Sequence, residues 1–311
     1  MTASRRSRSA ALAATIALAC AAAPAAARPA QPSGPGHTFV QGGAKIWYEV
    51  RGKEGGRPLI MVNGGPGFDH TYVLCSDAWD MLAKKRRVVF YDQRGNGRSG
   101  ALAAGQSCTL ADQIADLDAL RAELKADRID LLGHSWGGYL VMAYAARHPE
   151  HIRHLVIVDS ASPKWGDASL FKDIFPEGYE RFDRNALGDA LNDPAATEAQ
   201  LREYLSWLFY APEKRDAFLA QMTKIDFSKP VNAALEADLG KYDLTPELPK
   251  FKFPALVITG RYDINVAPSV AYKLHKAIPN SQFAVFEKSG HLPNFEEPEL
   301  FVKTIEAFLA R

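Results

Sequence analysis

The sequence predicts an α/β protein: a mostly parallel sheet flanked by helices, with a helical cap inserted into it. Three observations carry this. Short continuous apolar runs such as Leu59 to Val62 and Leu155 to Val158 alternate with longer segments of helical spacing, the order of strands covered on both faces. One strand-to-helix junction reads Gly133-His134-Ser135-Trp136-Gly137, small residues framing an abrupt turn. From Ser160 to about Lys250 no buried strand can be read, and aromatic residues cluster instead.

The chain of 311 residues can bury one large core, and its 47% hydrophobic and 23% charged residues are ordinary globular values. Arg5, Arg6 and Arg8, the apolar Ala10 to Ala23 and the small residues Ala25-Ala26-Ala27 read as a signal peptide over residues 1–27. Export to a periplasmic or secreted location follows from that reading, with no stable membrane insertion once the signal is removed. The rest of the chain carries 34 basic against 36 acidic side chains, which favours no nucleic acid partner. Removing Cys20 with the signal leaves Cys75 and Cys108. Two cysteines in an exported chain are expected to pair, free buried thiols being the alternative.

Residues 28–37 form a Pro/Gly/Ala-rich tether. Thr38 to Gln41 and Lys45 to Arg51 read as a hairpin turning at Gly42-Gly43, with Ile46, Tyr48 and Val50 alternating against Lys45, Trp47 and Glu49. Leu59 to Val62 is the next strand and ends in Asn63-Gly64-Gly65-Pro66-Gly67. A helix is expected around Ser76 to Lys84, a strand at Arg87 to Tyr91, and a helix through Leu110, Ile114, Leu117, Leu120 and Leu124, with Thr109 or Cys108 at its cap. The strand before Ser135, its helix and Leu155 to Val158 complete a core over 38–160. Residues 161–250 are the helical cap, and the core resumes over 251–311. There Phe253 to Thr259, a helix from Pro268 to Ile278, Gln282 to Phe286 and a helix from Glu297 to Leu309 follow in order.

The G-x-S-x-G turn would hold Ser135 at strained backbone angles with its oxygen outward, and would leave the Trp136 N–H free to face a developing oxyanion. A serine hydroxyl needs a base, and the base needs an orienting acid. Asp263 and His291 are the only acid and histidine in strand-end loops after the cap, so Ser135, Asp263 and His291 form the candidate triad. His134 should point away from Ser135. The second oxyanion donor is expected to be Gly65 N–H, with Gly64 as the alternative. Asp92, Arg94 and Ser99 are expected to build a turn and not to touch substrate. No HExxH or CxxC pair exists, so no metal is implied.

Asn63-Gly64-Gly65-Pro66-Gly67, Asp92-Gln93-Arg94-Gly95-Asn96-Gly97-Arg98-Ser99, Gly133-His134-Ser135-Trp136-Gly137-Gly138, Gly260-Arg261-Tyr262-Asp263 and Ser289-Gly290-His291 together resemble the proline iminopeptidase family of α/β-hydrolases, over about residues 38 to 311. The resemblance implies the α/β-hydrolase fold and a prolyl aminopeptidase activity, releasing N-terminal proline or similar residues from small peptides by acyl transfer to serine, without a cofactor. It also implies cap glutamates that hold the substrate's free amine. No motif places them; Glu203, Glu213 and Glu236 are available, with Trp207 beside the expected region. This chain departs from the family in beginning the Gly-rich loop with Asn63 in place of histidine. An esterase, lactonase or amidase acting on small apolar substrates with the same triad is the alternative reading. A catalytically inactive binding protein is a remote one.

Overall fold

The computed structural model describes residues 35–52, 55–166, 169–180, 194–222 and 226–311. The signal-like segment 1–27, most of the tether, and Phe182 of the cap lie outside the described residues. Eight strands form one sheet: β1 (His37–Gln41), β2 (Ala44–Gly52), β3 (Pro58–Val62), β4 (Arg87–Asp92), β5 (Ile129–His134), β6 (Ile152–Val158), β7 (Ala255–Gly260) and β8 (Gln282–Phe286), in the order β1-β2-β4-β3-β5-β6-β7-β8. β1 and β2 are the antiparallel hairpin, β2 pairs antiparallel with β4, and all later pairings are parallel. The chain steps from β3 to β4 on one side and then crosses to β5 on the other. A crevice therefore opens at the carboxyl ends of β3 and β5, where such folds bind ligands.

Successive residues of the buried strands point to opposite faces. Ile60, Val62, Val89, Tyr91, Leu131, Leu155, Ile157 and Val257 pack against α2 (Leu110–Glu123), α3 (Trp136–Arg147) and α8 (Pro268–Ala277). Leu59, Met61, Val88, Phe90, Leu132, Val156, Val158 and Ile258 pack against α1 (Ala78–Ala83) and α9 (Pro298–Leu309). Thr109 starts α2 through a reciprocal capping box: its backbone N–H donates to Asp112 Oδ2 at 2.8 Å, and its hydroxyl accepts the Asp112 N–H at 3.3 Å. Between β6 and β7 the described residues form α4 (Phe171–Ile174), α5 (Pro194–Ser206), α6 (Pro212–Gln221) and α7 (Lys229–Leu239). Among the described residues no helix is long and apolar enough to cross a membrane.

Two sequence expectations are corrected. Cys75 and Cys108 are both free and buried, because they belong to the cores on opposite faces of the sheet and the sheet itself separates them. In β2, Trp47 and Glu49 are not the solvated face of an amphipathic strand; both are buried. Trp47 stacks on His70 with ring centroids 4.9 Å apart and carries the Arg98 guanidinium 4.7 Å above its ring, while Glu49 accepts Arg51 Nε at 2.7 Å. The loops after β3 and β4 cover Trp47, and Arg51 of β2 itself reaches Glu49; period-2 alternation cannot reveal either.

Candidate active site

Ser135 sits between β5 and α3 at φ 58° and ψ −122°, a left-handed position that costs a non-glycine residue on the order of 1–3 kcal/mol. Only glycine fits on either side. A Cβ on Gly133 would lie 2.2 Å from Gly137 O, and one on Gly137 would lie 2.1 Å from Val62 O. The turn is held by Ser135 N–H donating to Val158 O at 3.0 Å. Trp136 opens α3, where the first amides have no acceptor within the helix. Its indole Nε1 donates to Gln93 Oε1 at 2.8 Å, and Gln93 Nε2 donates to Asn63 O at 2.9 Å. Asn63 Nδ2 in turn donates to the carbonyls of Gly64 (3.0 Å) and Phe68 (2.9 Å). An asparagine thus ties the Gly-rich loop after β3 to the nucleophile turn.

His291 and Asp263 meet across the ends of β7 and β8, with His291 Nδ1 at 2.7 Å from Asp263 Oδ2. The other carboxylate oxygen accepts the backbone N–H groups of Asn265 (2.8 Å) and Val266 (2.9 Å). Asp263 and His291 are both buried. Ser135, His134, His291, Gly64, Gly65, Phe68, Tyr72, Tyr204, Leu205, Leu208 and Leu292 line one cavity. The candidate triad is therefore gathered at one place, and the Gly-rich loop faces it. Gly64 N–H is already engaged, donating to Tyr72 Oη at 2.6 Å.

That hydroxyl belongs to a directional chain that sequence reasoning missed. Tyr72 Oη lies 2.8 Å from His134 Nδ1, and His134 Nε2 lies 2.7 Å from His291 O. A carbonyl only accepts, so Nε2 carries the proton and Nδ1 accepts from Tyr72. Burial, and behind it the neighbouring His291 ring, hold His134 down at about 3, so it stays neutral. His134 bonds to Tyr72 and to the His291 carbonyl, lines the same cavity as Ser135, and joins the three loops that surround it.

Asp159 was also missed. It lies at the carboxyl end of β6, buried, at φ 42°, with Oδ1 accepting Gly260 N–H at 2.9 Å. Its Oδ2 has no donor among the described residues, and burial followed by the charge of Asp263 raises its pKa well above the usual carboxylate range. Burial beside the Asp263 carboxylate thus favours the protonated form of Asp159. A strand-end acid one strand before the triad acid is a signal the sequence did contain. Glu296 is a further buried carboxylate, raised to about 7 chiefly by burial. It accepts the N–H groups of Gly290 (2.6 Å), Tyr210 (2.9 Å) and Ala211 (3.1 Å), and so clamps the cap to the histidine loop.

Asp92, Arg94 and Ser99 build a turn, as expected. Asp92 accepts His70 Nδ1 (2.7 Å) and Arg98 N–H (2.8 Å), Arg94 chelates Asp116 with two contacts of 2.6 Å, and Ser99 Oγ donates to Asp92 O at 2.6 Å. The candidate cap residues are not brought to the cavity wall. Glu236 accepts Trp165 Nε1 at 2.8 Å, Glu213 lies in the first turn of α6, and Trp207 packs on Phe171 and Phe175. Glu203 lies on α5 immediately before the wall residues Tyr204 and Leu205. Among the described residues one group, Asp118, His148 and His151, has ligand atoms within 4.8 Å of one another. It lies at the far end of α3 from Ser135, and Arg121 Nε already occupies Asp118 at 2.8 Å.

This fold, with a strained serine turn at the switch crevice and a buried His–Asp pair across it, is that of a hydrolase. A family model for the alpha/beta hydrolase fold matches residues 57–298, and the chain belongs to that family. Over most of its length the chain is similar to proline iminopeptidases. The one from Heyndrickxia coagulans is 29% identical over 286 residues, 88% of this chain and 98% of that one. The one from Saccharolobus solfataricus is 29% identical over 280 residues, 86% and 89% of the two chains. Among solved structures, a thermophilic esterase from Thermogutta terrifontis superposes with a TM-score of 0.70 at 23% identity, covering 89% of this chain and 98% of that one. An enol-lactonase from Burkholderia xenovorans LB400 gives 0.66 at 24%, covering 88% and 100%. These two likenesses speak for the fold.

Proposed function

We propose that the chain is a serine hydrolase that releases N-terminal proline or a similar residue from small peptides. The observation that carries the reading is the compact, aromatic-walled cavity into which Ser135, His291 and Gly65 all open. Ser135 Oγ attacks the scissile carbonyl carbon and its proton passes to His291 Nε2, while Asp263 stabilises the imidazolium. Trp136 and Gly65 N–H groups hold the oxyanion. Collapse of the tetrahedral adduct breaks the C–N bond, and the leaving amine takes the proton from His291. Water, deprotonated by the same histidine, then hydrolyses the acyl-serine. Phe68, Tyr72 and Tyr204 suit a flat, compact acyl group such as a pyrrolidine ring. Glu203, which immediately precedes the wall residue Tyr204, is assigned to the substrate ammonium.

A second reading, a hydrolase of small apolar esters or lactones, is favoured by one observation: no carboxylate lines the cavity among the described residues. Release of a chromogenic amine from proline, with the N-terminus free and then acylated, separates the two when measured beside a short-chain ester of the same chromophore. Loss of turnover on acylation is the expected result, and ester turnover without amide turnover assigns the second reading. Ser135→Ala should abolish turnover of either substrate while the protein stays folded. The basic, apolar and small-residue segments of residues 1–27 support export before the enzyme acts; the N-terminal mass of the mature protein tests it.

A further inference from the structure

Both ring nitrogens of His291 have partners. Nδ1 faces Asp263 Oδ2 at 2.7 Å, and Nε2 faces Nδ2 of Asn265 at 3.0 Å. With the imidazole proton on Nδ1, toward the carboxylate, Nε2 offers one lone pair and the Asn265 amide donates into it. Among the described residues no hydrogen bond joins Ser135 Oγ to His291. The lone pair that must take the serine proton is already used, and a second donor cannot share it.

Asn265 is fixed at both of its ends. Its backbone N–H donates to Asp263 Oδ1 at 2.8 Å, so its main chain moves with the triad acid. Its side-chain amide meets His291 Nε2, so one residue joins the triad acid to the base. We propose that Asn265 is a positioning residue that latches His291 through Nε2, so that Ser135 becomes nucleophilic only when the amide leaves that nitrogen. The inference rests on the reading of Ser135 and His291 as nucleophile and base.

The test is the second-order rate at which a methylphosphonyl fluoride inactivates the full chain at pH 8. It is paired with ¹⁵N NMR of the histidine-labelled protein. Asn265→Ala lacks the donor but keeps the backbone N–H, and should react about three- to tenfold faster, the fold-change of one neutral hydrogen bond. Its His291 Nε2 resonance should move toward that of an acceptor nitrogen without a donor. A merely structural asparagine would not move that resonance. Asn265→Val, also without a donor, repeats both measurements should the alanine variant fold poorly. An unchanged or slower rate, or an unmoved Nε2 resonance, overturns the latch. Inactivation of Ser135→Ala at the wild-type rate would instead overturn the underlying assignment of the nucleophile, so the two failures are distinguishable.

Discussion

Replacing Tyr72 by phenylalanine asks whether the Gly-rich loop, the serine turn and the histidine loop are held as one unit. The change removes a single oxygen and keeps the ring, which packs against Phe68 and the His134 imidazole. That oxygen accepts Gly64 N–H at 2.6 Å and serves His134 Nδ1 at 2.8 Å, so two buried groups lose their partner at once. A buried polar group left unsatisfied costs about 1–3 kcal/mol. The loop can relax toward water in the cavity, so the expected loss of stability lies near the lower bound of the pair, about 2–3 kcal/mol. The catalytic consequence is larger than the structural one. A lost oxyanion donor costs on the order of 10²–10³ in kcat, and a Gly65 N–H displaced but still present should cost about 10–10². KM should stay within about threefold, because the oxyanion exists only in the transition state. Urea unfolding followed by tryptophan fluorescence, and kcat and KM resolved separately on the amide or ester that the enzyme prefers, measure both effects. A variant with stability within about 0.5 kcal/mol of wild type and kcat within about twofold would refute the view that this hydroxyl positions the oxyanion loop.

Two further outcomes are expected. His134, held at about 3 in the folded protein, takes up a proton below about pH 6.5 only when unfolded, so between those values the unfolded chain binds more protons and stability falls as pH falls. His134→Gln keeps a donor and an acceptor but cannot titrate; its unfolding free energy relative to wild type should rise by about 2 kcal/mol between pH 7 and 5, and parallel curves would sink the argument. Cys75 and Cys108 should each react with a thiol reagent once the unreduced protein is unfolded, and neither should react quickly while it is folded. Recovery of no thiol would restore the disulfide.

Much of the fold was legible because strands buried on both faces must be written as unbroken apolar runs, and Leu59 to Val62, Arg87 to Tyr91 and Phe253 to Thr259 are strands close to where those runs lie. The serine turn was legible for a steric reason, since Gly133 and Gly137 leave no room for a Cβ. Trp47 and Glu49 misled because alternation reports what a strand needs on one face and nothing of a distant loop that covers the other. The cysteines misled because pairing depends on which side of the sheet each thiol reaches.

The sequence alone determined the layered α/β architecture, the serine at its strained turn and the acid and histidine that could serve it. These are properties of local pattern, of chain order and of residues too small to replace. Tertiary structure decided which groups answer one another: Tyr72 with Gly64 and His134, Asp159 with Asp263, and Asn265 with His291. Such pairs are separated by stretches of chain that carry no trace of their partner. Their energies exist only after burial has removed water as the competing partner, which is why no reading of the chain in one dimension contains them.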